Sequence, residues 1–464
     1  MTDRLPSGNA RLDAVLGGGL PANAVTLVVG PPGSGKTILA QSYSFKNATP
    51  QRPAIYLSTV SEPFEKILRY GHSLTFFDPA KVGKSVFYDD LGGILNEQGL
   101  GGVASRLGDL IKERRPGVLV VDSFKALRPY AEDEGHFRRF LHEVAGMVSA
   151  FPVSSFWVGE YDFSEMTTAP EFAVADGILF LSTTRSNERE MRTLQVLKLR
   201  GSESLTGKHA YRITSAGLSV FPRLADPVNQ ADYSLRGERI TSGIQALDDM
   251  LADGYWSGTS TLVAGPSGSG KTLMGMHFIF KGAEAGESGI IATLQENPTQ
   301  LERIVQKFGW SLDSPGVEVM YRSPVDIHVD EWVYDLLDTA ERTGATRILV
   351  DSLGDLRNAS PDESRFREYL YSLLSRCSRA GVSLMLTFEI PDLYGSNRLS
   401  EFGVSHLSDN VVLLQYVRAK SNVKRAMLVL KTRASAHEPE IREFRITREG
   451  IVLGDPIDQD SPSS

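Results

Sequence analysis

The chain has 464 residues, enough for two to four domains, and its 41% hydrophobic and 23% charged content is that of a globular protein. No apolar run approaches the roughly 20 residues that span a bilayer, and "MTDRLPSGNA" lacks the basic-then-apolar pattern of a secretory signal. A net charge of −8 with no strongly basic stretch argues against a nucleic-acid track, and the single cysteine, Cys377, rules out an internal disulfide and fits a reducing cytoplasm.

Near the start stands "RLPSGNARLDAVLGGGL" (residues 4–20). The apolar run "AVTLVVG" (24–30) reads as a buried strand feeding "GPPGSGKT" (30–37), and "TILAQSYSFKNA" reads as the helix that leaves it. The octapeptide fits the phosphate-binding P-loop. Its glycines let successive N–H groups turn inward toward phosphate, and the helix adds its positive end. Gly33, Ser34, Gly35, Lys36 and Thr37 are therefore nucleotide-binding candidates, with Lys36 reaching the outer phosphates and Thr37 ligating Mg²⁺. "PAIYLSTV" reads as a second strand and "EKILRYG" as a helix. "GVLVVDSFKALR" (117–128) is a strand ending in Asp122, placed to hold Mg²⁺ beside Thr37. "VLKLRGS" (196–202) and "YRITSAG" close the segment.

All of this then recurs. "RITSGIQALDDMLADGY" (239–255), "TSTLVAG", "GPSGSGKT" (265–272), "RILVDSLGDLR" (347–357), "VLKTRAS" (429–435) and "FRITREG" repeat the series in order. Gly268, Ser269, Gly270, Lys271 and Thr272 form the second P-loop, and Asp351 is the second strand-end acid. Apolar strands alternate with helical stretches, including "RFREYLYSLLSRCSRAG" before "VSLMLTFE". The expected fold is α/β: two tandem P-loop domains, each a mostly parallel twisted sheet with helices on both faces. The domains are placed at 1–225 and 238–455, with a linker at 226–237. The stretch "GDPIDQDSPSS" (454–464) reads as disordered, leaving a tail at 456–464. Ligand belongs at the carboxyl ends of the strands.

These motifs together resemble the KaiC circadian clock ATPases of the RecA-like superfamily. The resemblance covers nearly the whole chain and is strongest in "SDNVVLLQYV" (408–417), "KRAMLVLKTRAS" and "EIREFRITREG". It implies a homohexamer of two stacked rings, ATP and Mg²⁺ at subunit interfaces, and a regulatory protein partner. It also implies that the pairs Lys198 with Arg200 and Lys431 with Arg433 reach a neighbour's ATP; two apart on a strand, the members of a pair share a face. His437, just after the second pair, joins the nucleotide-binding set by the same resemblance.

The catalytic acids depart from the family pattern of two consecutive glutamates after the second strand. The second repeat reads "LQENP", which keeps Glu296 behind Gln295. The first reads "TVSEP", where Glu62 falls one position late and is either a catalytic carboxylate or a helix-start acid. The family's adjacent Ser-Thr phosphoacceptors correspond here to Ser405 and His406, leaving Ser405 as the autophosphorylation candidate. The clock proteins' longer tail, which receives an activating partner, has no counterpart after "RITREG", which favours a reduced KaiC-like ATPase. A DNA-dependent motor of the replicative-helicase type and a nucleotide-dependent scaffold with little hydrolysis are the competing readings. A gel shift at low salt and a phosphate-release assay separate them.

Overall fold

A computed structural model describes residues 3–59, 64–186, 189–224, 237–323, 327–360, 363–390, 406–419 and 422–457. Glu62, Ser405 and most of the expected linker lie outside these residues. The chain forms two compact units that meet in sequence at Arg223 and Leu224. Leu224 is buried in the core of the second unit, and its carbonyl accepts the Ser372 hydroxyl at 2.8 Å.

The first unit holds a nine-stranded sheet: β1 (Val25–Val29), β2 (Ala54–Ser58), β3 (Val86–Asp90), β4 (Val118–Asp122), β5 (Ser154–Gly159), β6 (Gly177–Ser186), β7 (Arg189–Leu199), β8 (His209–Thr214) and β9 (Gly217–Phe221). Their order across the sheet is β9-β8-β7-β6-β1-β5-β4-β2-β3. The second unit repeats it with β10 (Ser260–Gly265), β11 (Gly289–Thr293), β12 (Val317–Tyr321), β13 (Arg347–Asp351), β14 (Ser383–Glu389), β15 (Asn410–Ala419), β16 (Asn422–Thr432), β17 (Arg442–Thr447) and β18 (Gly450–Pro456). Its order is β12-β11-β13-β14-β10-β15-β16-β17-β18. Six strands of each sheet are parallel, and the last three extend it as antiparallel hairpins.

The central strands are apolar throughout because both faces are covered. Val25, Leu27 and Val29 of β1 join one core, and Val28 points into the other. The P-loop helix α1 (Lys36–Asn47) seals one face with Leu39, Ala40 and Tyr43. Helices Gly92–Arg114 and Glu134–Ala150 seal the other with Val103, Leu107, Phe137 and Leu141. In the second unit α2 (Lys271–Glu284) covers one face, and helices Val329–Thr343 and Glu363–Ala380 cover the other. The stretch 454–464 starts in register rather than as a loose tail. β18 runs through Pro456, and the Ile457 N–H donates to the Ile441 carbonyl at 2.8 Å. The turn residues Asp455 and Pro456 had masked a strand end that the neighbouring β17 holds in place.

Candidate nucleotide site

Each P-loop links the carboxyl end of the central strand to the helix that follows. Gly35 and Gly270 precede the helices with φ of 87° and 109°, a left-handed backbone that favours glycine. The lysines that follow are buried and fold back on their own loops. Lys36 Nζ donates to the Pro31 carbonyl at 2.8 Å, and Lys271 Nζ to the Pro266 carbonyl at 2.9 Å. Burial lowers both ammonium pKa values, and nearby acids oppose the shift.

The strand-end aspartates lie beside the P-loop threonines. Thr37 Oγ1 donates to Asp122 Oδ2 at 2.8 Å, and Thr272 Oγ1 donates to Asp351 Oδ2 at 2.7 Å. Tyr56 also donates to Asp122 Oδ2, at 2.5 Å, and Thr387 donates to the other oxygen of Asp351. Asp351 is buried, and its carboxyl is pushed above the usual range by loss of water. The peptide bond after each aspartate is cis. Hydroxyl plus carboxylate is a hard-oxygen donor set that suits Mg²⁺. Ser34 Oγ and Ser269 Oγ, buried inside the two loops, have no hydrogen-bond partner among the described residues. A cavity of about 1190 Å³ opens above the first loop, lined by Gly33, Lys36, Thr37, Asp122, Glu160 and Tyr161 among others.

Glu296 joins the second site. It follows β11, is half-buried, and its buried Oε2 has no hydrogen-bond partner among the described residues. Its carboxyl is raised first by burial, then by the charge of Asp351, while Lys271 pulls it back. Gln295 instead points outward and donates to Asp355 at 3.0 Å. Sequence reasoning missed Glu160 and Glu389. Each lies at the end of the strand beside the P-loop strand, with its carboxylate 4.0 Å from the P-loop lysine.

The Lys-x-Arg pairs sit elsewhere. Lys198 pairs in register with Ile178, near the amino end of β6, and Lys431 with Val411. That is toward the end of the sheet opposite each unit's own P-loop, about 10 Å from its start for the lysines and about 16 Å for the arginines along the strands. Lys198 donates to the Phe172 and Ala173 carbonyls at 3.4 and 3.3 Å, and Arg200 pairs with Asp176 at 3.1 Å. Lys431 donates to the Ser408 carbonyl at 2.7 Å, and Arg433 to the His406 carbonyl at 2.9 Å. The members of each pair thus reach different acceptors. His437 lies half-buried in the loop after Arg433.

Comparison with known proteins shows the family. The family model described as "ATPase: KaiC" matches twice, at residues 5–225 and 240–457. The circadian clock protein KaiC3 of Synechocystis sp. is 28% identical over 98% of this chain and 92% of its own length. The circadian clock oscillator protein KaiC of Rippkaea orientalis is 25% identical, over 96% of this chain and 87% of its own. That of Thermosynechococcus vestitus is 26% identical, over 97% and 89%.

Proposed function

Because the chain belongs to the KaiC ATPase family, we propose that it is a regulatory ATPase, a homohexamer of two stacked rings with ATP held between neighbouring subunits. The observation that carries the ATP chemistry is the constellation built twice: P-loop lysine, P-loop threonine and strand-end aspartate on adjoining strands. Mg²⁺ held at Thr37 with Asp122, and at Thr272 with Asp351, supplies charge compensation to the phosphates when bound.

This chain's own groups do the rest. The loop amides and Ser34 or Ser269 cradle phosphate, and the lysines draw charge toward the outer phosphates. Glu296, with one oxygen unsatisfied, orients the attacking water in the second domain and accepts its proton. Glu62 is the candidate for the same task in the first. Lys198 with Arg200, and Lys431 with Arg433, are held on acceptors at the end of the sheet away from their own loops. Their place toward the opposite end of the sheet supports delivery to a neighbour's nucleotide, with His437 in the loop after Arg433. Ser405 is the proposed phosphoacceptor, and the nucleotide or phosphorylation state signals to a protein partner in the cytoplasm.

Phosphate release from Mg-ATP by the full chain tests the reading, together with mass-resolved sizing with and without ATP. Turnover that vanishes in the Lys36→Ala, Lys271→Ala double variant, and an ATP-dependent hexamer, are expected. Turnover that survives both substitutions refutes it.

A further inference from the structure

Glu160 follows β5 directly, and Glu389 is the last residue of β14. Gly159 pairs with Val29 and Glu389 with Gly265, so both acids stand level with the start of a P-loop. The strand order fixes their neighbours. Across the carboxyl ends, the P-loop strand comes first, the strand of this acid second, and the strand of the Mg²⁺ aspartate third. The acid therefore stands between the phosphate cradle and the aspartate. Its carboxylate is half exposed, at 58% for Glu160 and 51% for Glu389, while the lysine it faces at 4.0 Å is buried. Glu160 lines the cavity above the first loop. The arrangement is the same in both repeats, although the flanking sequences "VGEYD" and "TFEIP" share little else.

We propose that Glu160 and Glu389 discriminate triphosphate from diphosphate by competing with the outer phosphate for the P-loop lysine. The inference rests on the nucleotide reading of the two loops. With the outer-phosphate position empty, the carboxylate is the lysine's nearest counter-charge across the cavity. An entering triphosphate takes the lysine over and sets a phosphoryl group against the displaced carboxylate. Like charges this close in a partly desolvated site repel. A diphosphate brings the lysine only its β-phosphate and displaces the carboxylate less. Each acid thus acts as a positioning residue that holds triphosphate affinity down relative to diphosphate affinity.

The test is calorimetric titration of the full chain and its Glu160→Gln and Glu389→Gln variants. Each is titrated with ADP and with a non-hydrolysable ATP analogue at saturating Mg²⁺. Both positions are half exposed and glutamine is isosteric, so the fold is retained. The expected result is a shift of about tenfold in the affinity ratio toward the triphosphate, or about 1.4 kcal/mol, at the altered site. Glu389→Asp, which keeps the charge, should retain most of the discrimination. Equal changes for both nucleotides, or none, would overturn the proposal while leaving nucleotide binding intact. A wild-type chain that binds neither nucleotide overturns the nucleotide reading, and this inference with it.

Discussion

At the scale of single residues, Glu296 carries the sharpest consequences. Burial and Asp351 raise its pKa above that of an ordinary carboxylate. Below the unfolded-state pKa the group is protonated in both states and costs nothing. As pH rises through the folded-state pKa, ionisation in the half-buried site destabilises the fold. Glu296→Gln should therefore melt higher than the nucleotide-free wild type at pH 7 to 8, with the gap closing near pH 4, as calorimetric scans would read. The same substitution should lower turnover by about 10²-fold or more. A variant that is slower but no more stable would mean that the carboxylate is satisfied in solution. Ser405 gives a second prediction. By the family resemblance, His406 stands at the second acceptor position and Gln295 at that of a proton-accepting carboxylate. Intact-mass analysis after incubation with Mg-ATP should find at most one phosphate per chain, abolished by Ser405→Ala. Phosphate that persists in that variant would place the acceptor elsewhere.

Among elements, the sheet shows what one sequence could disclose. The P-loops, their strands and the strand-end aspartates were legible because each is local. An apolar run into a glycine turn marks each P-loop, and an apolar run ending in an acid marks each aspartate. Glu160 and Glu389 were not, because their meaning comes from strand order: β5 and β14 follow their P-loops by over a hundred residues yet lie beside β1 and β10. In sequence each looks like an ordinary strand-end acid. The Lys-x-Arg strands were half legible. The register slips at the same place in both repeats, between Ile178 and Leu179 and between Val411 and Val412, just where the lysine pairs. A bulge re-aims side chains, and no periodicity rule locates one. Close packing at the strand–loop junction yields a test. A Cβ on Gly30, whose φ is 151°, would lie 1.9 Å from the Leu181 carbonyl oxygen. Gly30→Ala should destabilise the first unit by about 3 kcal/mol or more. Gly146→Ala, inside a helix and facing open space, should instead stabilise it by about 0.5–1 kcal/mol. Urea unfolding of both variants checks the contrast.

For the whole molecule, the repeat matters more than either copy. In the proposed double ring, duplicated P-loops permit a division of labour in which one ring holds the assembly and the other does regulated chemistry. The second copy keeps Glu296, so Lys36→Ala should weaken hexamer formation more than Lys271→Ala does. Sizing chromatography showing the reverse order would reverse the assignment. The placement of the Lys-x-Arg pairs makes a stronger claim, because it concerns two subunits at once. Arg433 lies at the end of the sheet away from Lys271, held by the His406 carbonyl and 3.6 Å from Asp409. Held there, the guanidinium lies away from its own unit's P-loop, and in the proposed head-to-tail ring it would compensate charge on a neighbour's nucleotide. Arg433→Ala should then cut turnover by about 10³-fold while the variant still binds nucleotide. Mixed with Glu296→Gln subunits in equal amounts, it should regain activity. About one interface in four would then join an intact glutamate to an intact arginine. Recovery that follows this fraction as the mixing ratio changes would show that the site is shared. No recovery at any ratio, with mixed assemblies confirmed by mass, would mean that Arg433 acts within its own subunit or not at all.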